Sequence, residues 1–298
     1  MSTIPPRVRV VEVGPRDGLQ NESAFLDTET KIAFINRLSE TGLPVIEATA
    51  FVHPERVPQL VDAEEVFRRI QKHPGVAYPV LVPNLKGLER ALAVGVSEIA
   101  VFTAVSETFT QKNIHCSITE SLERFKPVME KASEKSLRVR GYISCCLGCP
   151  YEGKVDPQKV AVLARQLVEI GCAEISLGDT IGVGTPLEAR AMLAAVAGEV
   201  PMERLAVHFH DTRGQALANI FACLDLGIAT VDASVAGLGG CPYAPGAGGN
   251  VATEDVVYML NGMGIGTGVD LAKLIEVGRF ISQRLGRENQ SRIGRVGV

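Results

Sequence analysis

The sequence predicts an α/β protein of the (β/α)8 TIM-barrel class, with an additional helical segment at its C-terminal end. Three observations lead there. Eight short apolar runs alternate with eight helical patterns, a glycine recurs at one kind of helix-to-strand junction, and the whole set fits into 298 residues. Strands that alternate with helices pair in parallel, because parallel neighbours need a crossover connection. Eight such units match a closed barrel, which takes about 250 residues plus additions. An open doubly wound sheet is the competing arrangement.

The strand-like runs fall at 8–13, 45–49, 77–82, 99–104, 139–144, 173–177, 205–210 and 230–235. Each is short, rich in Val, Ile or Ala, and bounded by turn residues. Helical patterns lie between them, at 28–40, 63–72, 85–93, 117–135, 157–170, 186–197, 214–226 and 251–261. The first places Ile32, Ile35 and Leu38 on one side. Gly42, Gly95, Gly171 and Gly227 follow helices directly, where a left-handed cap is needed. There is no linker, so the expectation is a single domain over 1–298, with the barrel at about 8–262 and extra helices at about 269–286.

Composition narrows the class. The chain is 46% hydrophobic with a net charge of -4, which gives no electrostatic case for nucleic acid or an anionic membrane. No stretch approaches the roughly 18 apolar residues of a membrane span, and the N-terminus has neither a signal-peptide core nor an Arg-rich presequence. A cytoplasmic location is expected. Seven dispersed cysteines, an odd number, suit reduced thiols better than a disulfide framework.

A barrel places its active site where strands end and the following loops begin. Three segments meet that condition on neighbouring strands one, seven and eight. Asp17 lies in Gly14-Pro15-Arg16-Asp17-Gly18 after the first strand. His208 and His210 end the seventh, two residues apart, so both point to one face while Val207 and Phe209 point to the other. Asn250 closes the glycine-rich run GLGGCPYAPGAGGN after the eighth. Two imidazoles with oxygen ligands from Asp17 and Asn250 would suit Mg2+ or Mn2+ rather than a structural zinc. The alternative is a pair of core histidines bonded to backbone.

Other candidates carry two readings each. Arg16 would meet a developing oxyanion, or belong to a surface ion pair. Glu47 interrupts an apolar strand one step away and needs a partner, for which Arg16 is the obvious choice. That pairing would orient a catalytic guanidinium or merely brace the barrel. Cys241, among six glycines in fourteen residues, is either a thiol acid or base on a loop, or a small buried hydrophobe. Asp179, at the end of strand six, would bond a substrate hydroxyl or cap a turn. Cys146 and Cys149 form C-x-x-C without a second pair, so ordinary thiols are expected there. No P-loop or dinucleotide fingerprint is present.

Together VEVGPRDGLQNE at 11–22, the Glu47 strand, GCPYEGKV at 148–155, EISLGDTIGVGTP at 174–186, AVHFHDT at 206–212 and the 237–250 run resemble the 3-hydroxy-3-methylglutaryl-CoA lyase family over nearly the whole chain. The resemblance implies cleavage of that acyl-CoA to acetyl-CoA and acetoacetate with Mg2+ or Mn2+, as in leucine degradation and ketone body formation, and a homodimer. Asp17, His208, His210 and Asn250 would surround the metal. Arg16 would stabilise the departing enolate and Cys241 would protonate it, while Asp179 would assist removal of the hydroxyl proton. Asn113 and Ser117, after the fourth strand, are candidate contacts for the CoA moiety. Mitochondrial members carry a cysteine near the C-terminus, whereas the last cysteine here is Cys241, so regulation by a crosslink there is not expected. Two other functions compete: a transferase condensing an acyl-CoA with a keto acid, and a non-catalytic metal-binding scaffold.

Overall fold

A computed structural model describes residues 4–240 and 249–297. Its strands are β1 (Arg9–Glu12), β2 (Val45–Ile46), β3 (Thr49–Ala50), β4 (Val80–Leu81), β5 (Glu98–Ala104), β6 (Arg138–Ser144), β7 (Glu174–Asp179), β8 (Leu205–Phe209) and β9 (Thr230–Ala233). Every pairing is parallel, in the order β2-β1-β9-β8-β7-β6-β5-β4-β3. The two ends of that order are halves of one chain segment. Glu47 N–H donates to the Glu12 carbonyl on one side (2.8 Å), and Ala48 N–H donates to the Pro79 carbonyl on the other (3.0 Å). The sheet therefore closes on itself, and the nine strands occupy the eight predicted positions.

The helices are α1 (Thr28–Ser39), α2 (Ala63–Arg69), α3 (Leu85–Leu92), α4 (Glu107–Ile114), α5 (Ile118–Glu134), α6 (Pro157–Glu169), α7 (Pro186–Ala197), α8 (Ala216–Leu224), α9 (Thr253–Gly262), α10 (Leu271–Leu285) and α11 (Arg292–Val296). They enclose the sheet from outside, and the main core lies between the two layers. Phe34, Ile35 and Leu38 of α1 are buried in that layer with Leu88, Leu167 and Ile281. Side-chain caps start several helices: Asp27, Asn84, Ser106, Asp156 and Asp270 each accept a backbone N–H of the first turn, a bond worth about 1 kcal/mol. The four predicted glycines all have positive φ, from +80° at Gly95 to +116° at Gly171, as a left-handed cap requires.

Besides the split of the predicted strand 45–49 into β2 and β3, the structure departs from expectation in three places. The helix α4 was not predicted, the third strand shrinks to two residues, and α11 follows the expected α10. Inside the barrel the side chains are polar to an unusual degree. Arg9, Arg140, Glu174 and Ser176 stack along the axis with Asp232, ion-paired or hydrogen-bonded to one another. Among the described residues no helix is long and apolar enough to cross a membrane.

Candidate active site

At the end of the barrel where the strands finish, a cavity of about 850 Å³ opens, lined among others by Arg16, Asp17, Asn113, Tyr142, His208 and His210. The chain delivers Arg16 and Asp17 on a tight turn directly after β1. Pro15 opens that turn, and three successive N–H groups, of residues 16 to 18, point at the Val13 carbonyl. Such a turn overcomes the alternation of a strand and sends adjacent side chains to one mouth. The strand β8 places both imidazoles on the inner face and sends Val207 and Phe209 into the helix-side core. His210 then bridges to Asn250 through the backbone, and the Val251 N–H donates to the Phe209 carbonyl.

The result is a cluster of donors. Asp17, His208 and His210 each offer one ligand atom within 4.8 Å of the others. The Asn250 amide donates to Asp17 Oδ2 at 2.8 Å and to the Leu238 carbonyl at 3.2 Å, which fixes its orientation. His210 Nδ1 is buried with no hydrogen-bond partner among the described residues. A neutral imidazole with an idle nitrogen beside a carboxylate is the donor set a divalent cation takes.

Arg16 is a buried hub. Its Nε donates to Glu47 Oε2 (2.7 Å), its Nη1 to Asp17 Oδ1 (2.6 Å), and its guanidinium lies 5.2 Å from the Tyr142 ring centroid. The Tyr142 hydroxyl donates in turn to Glu47 Oε2 at 3.2 Å. Glu47 therefore orients the guanidinium across the break between β2 and β3, while its Oε1 has no partner among the described residues.

Charge is distributed unevenly. Burial pushes the Asp17 carboxyl up, but Arg16, His208 and His210 outweigh it and hold Asp17 well below the usual carboxylate range. Burial alone would lower His208, yet its hydrogen bond to Asp232 and the charge of Asp17 raise it. Burial, reinforced by the neighbouring His208, depresses His210 to about 4, so it is neutral at physiological pH. Burial raises Glu47 against the pull of Arg16.

Two expected contacts sit elsewhere. Both Asp179 carboxylate oxygens accept backbone N–H groups, from Val183 (3.2 Å) and Gly184 (2.8 Å), and the side chain is 0% exposed and absent from the cavity lining. Its turn-capping reading is the one the geometry supports. Ser117 is no pocket residue: it caps α5, its Oγ accepting the Glu120 N–H while its own N–H donates to Glu120 Oε2. The S-x-x-E spacing at 117–120 already carried that signature. Asn113 does line the cavity. Cys241 lies outside the described residues. The thiols of Cys146 and Cys149 bond separately, to the Ile143 carbonyl and the Ser106 hydroxyl.

Sequence reasoning missed Tyr142, Arg140 and Asp232. Arg140 and Asp232 interrupt apolar strands as Glu47 does, so the same search for charges inside strand patterns finds both. Tyr142 offers no such signal. At the stem of the glycine run, Gly239 and Gly249 touch so closely that a Cβ on Gly249 would stand 2.5 Å from the Gly239 carbonyl carbon. The Gly239 N–H donates to Glu22, which Arg287 engages from the C-terminal segment.

The HMGL-like family model matches residues 7–281. The chain belongs to the HMGL-like family. It is 61% identical over 296 residues to the mitochondrial hydroxymethylglutaryl-CoA lyase of Mus musculus, covering 99% of this chain and 91% of that protein. The crystal structure of hydroxymethylglutaryl-CoA lyase from Pseudomonas aeruginosa superposes with a TM-score of 0.97 at 59% identity, over 98% of both chains. A further HMG-CoA lyase structure, from A. baumannii in complex with coenzyme A and 3-methylmalate, matches at 38% identity and TM-score 0.94, over 98% of this chain and 95% of that one. Carboxyl transferase domains of pyruvate carboxylase from Rhizobium etli share the fold of this HMGL-like chain at 18% identity.

Proposed function

We propose that this chain is a carbon–carbon lyase that cleaves 3-hydroxy-3-methylglutaryl-CoA to acetyl-CoA and acetoacetate. The observation that carries this is the 57–61% identity to lyases of that name along nearly the full chain, with the Asp17, His208 and His210 donors set in the mouth cavity. The reaction removes the proton of the tertiary hydroxyl and breaks the bond between the two carbons that become the acetoacetate carbonyl and the acetyl-CoA methyl. The electron pair passes to the thioester as an enolate, which then takes a proton at carbon. Asp17, His208, His210 and Asn250 would hold a divalent cation, Mg2+ or Mn2+, which when bound binds and polarises substrate oxygens.

The chain's own residues supply the rest. Arg16, permanently charged and held by Glu47, presents its remaining N–H groups toward the cavity, where they stabilise the enolate oxygen. Tyr142, packed under Arg16, limits its movement and shields the site from water on that side. Asn113 lies along the cavity as a contact for the CoA arm. Cys241 is assigned the proton delivered to the enolate carbon on the strength of the family resemblance. A homodimer belongs to the same reading.

Purified protein should release acetoacetate from 3-hydroxy-3-methylglutaryl-CoA in the presence of Mg2+, and Cys241→Ala should slow it about 10²- to 10⁴-fold with Mn2+ binding retained. Folded protein without turnover would refute the activity. Unchanged turnover in the Cys241 variant would refute that thiol's role alone.

A further inference from the structure

We propose that Asp232 is the positioning residue of this site: it holds His208 with the proton on Nδ1, so that the bare Nε2 is presented to the ion. The inference rests on reading Asp17, His208 and His210 as a cation site, because only there does the choice of nitrogen matter.

The strand register sets it up. His208 of β8 pairs directly with Asp232 of β9, so both side chains stand abreast on the inner face of the barrel. Asp232 is buried, and its carboxylate is ringed by donors from three other strands. Oδ1 accepts Arg140 Nη2 at 2.7 Å; Oδ2 accepts the Ser176 hydroxyl at 2.8 Å and lies 3.3 Å from His208 Nδ1. An ionised carboxylate can only accept, so the imidazole nitrogen facing it must be the one that donates. The other nitrogen, Nε2, points toward Asp17, 3.9 Å from its Oδ2, a separation too long for a hydrogen bond.

Arg140 keeps the arrangement in place. It is itself buried and pairs with Glu174 through Nε at 2.8 Å, so Asp232 meets a permanent positive charge on the side away from His208. Asp232 is absent from the cavity lining and acts through His208, not on substrate. A carboxylate behind a metal-ligating histidine fixes ring orientation and tautomer, and losing it costs about 10- to 100-fold in metal affinity.

The test is a double-mutant cycle on Mn2+ affinity, read from the electron paramagnetic resonance of free Mn2+ without substrate. Asp232→Asn should weaken Mn2+ about 10- to 100-fold. Added to His208→Ala, it should cost nothing further, since the effect travels through His208. Ser176→Ala, which leaves the His208 contact in place, should bind as wild type does. If Asp232→Asn fails to fold because buried Arg140 loses one of its two carboxylate partners, Arg140→Gln/Asp232→Asn removes both charges and is read identically. Wild-type affinity in the Asp232 variants, or a loss that adds fully to that of His208→Ala, overturns the positioning role. A wild-type protein that binds no Mn2+ overturns the cation site itself.

Discussion

Arg16 shows how much one side chain does here. Its guanidinium reaches two carboxylates on different segments and an aromatic face at once, which a planar fork can do and a point charge cannot. Arg16→Lys should therefore fold, keep its positive charge, and still lose about 10²- to 10³-fold in kcat, the usual effect of removing one oxyanion donor. A steady-state assay checks this, and kcat within a factor of three of wild type would mean that the fork geometry is irrelevant. Asp179 supports a second test. A residue that holds the 183–184 turn should tolerate Asp179→Asn poorly in stability, by about 1–3 kcal/mol per lost bond, with kcat largely kept. A residue that moves a substrate proton would show the reverse, and denaturant titration with an assay separates the two.

At the scale of elements, β1 and β9 are fastened to α9 by buried carboxylates on the helix side. Glu12 accepts the Gly14 and Val235 N–H groups and the Thr253 hydroxyl, and Glu254 accepts the Ala236 N–H. Burial outweighs these bonds and raises Glu12 to about 7 and Glu254 to about 8, from the ordinary 4.5. Between 4.5 and those values the folded chain keeps protons that the unfolded chain has released. Stability from these groups is therefore full at low pH and lost as pH rises through about 7 and 8. Glu254→Gln keeps an acceptor for Ala236 and removes the charge. Its melting midpoint should exceed that of wild type above pH 8 and approach it near pH 5, as thermal melts across that range would show.

Elements also mark where the sequence was legible. The junctions at Gly42, Gly95, Gly171 and Gly227 were readable because positive φ has a residue signature. The pair His208 and His210 was readable because a strand alternates strictly. The helix α4 was not, since Glu107–Ile114 presents no continuous apolar stripe. The interruption at Glu47 was seen as chemistry but not as a break in a strand. The role of Asp232, though not its presence, stayed hidden for another reason: it depends on which strand lies beside it, and register across a sheet is not written in either strand alone.

For the molecule as a whole, a cation that binds only the folded chain must raise its stability. Mn2+ at a hundredfold excess over its Kd should add about 2.7 kcal/mol, seen as a rise in Tm that a chelator reverses. A Tm indifferent to saturating Mn2+ would contradict the site. The axial ion pairs of the barrel, from Arg9 through Glu174, Arg140 and Asp232 to His208, join that site to the opposite face of the fold. Since a buried pair broken on one side is costly, substitutions far from the mouth along this line should register at the histidine.

The contact between Gly239 and Gly249 places a constraint on the rim of the barrel. Because the two backbones meet at one point on the barrel rim, a Cβ on Gly249 would have to push Gly239 aside, and the next residue, Asn250, would carry that shift to Asp17. A single added methyl at this contact would thus be felt among the Asp17, His208 and His210 donors.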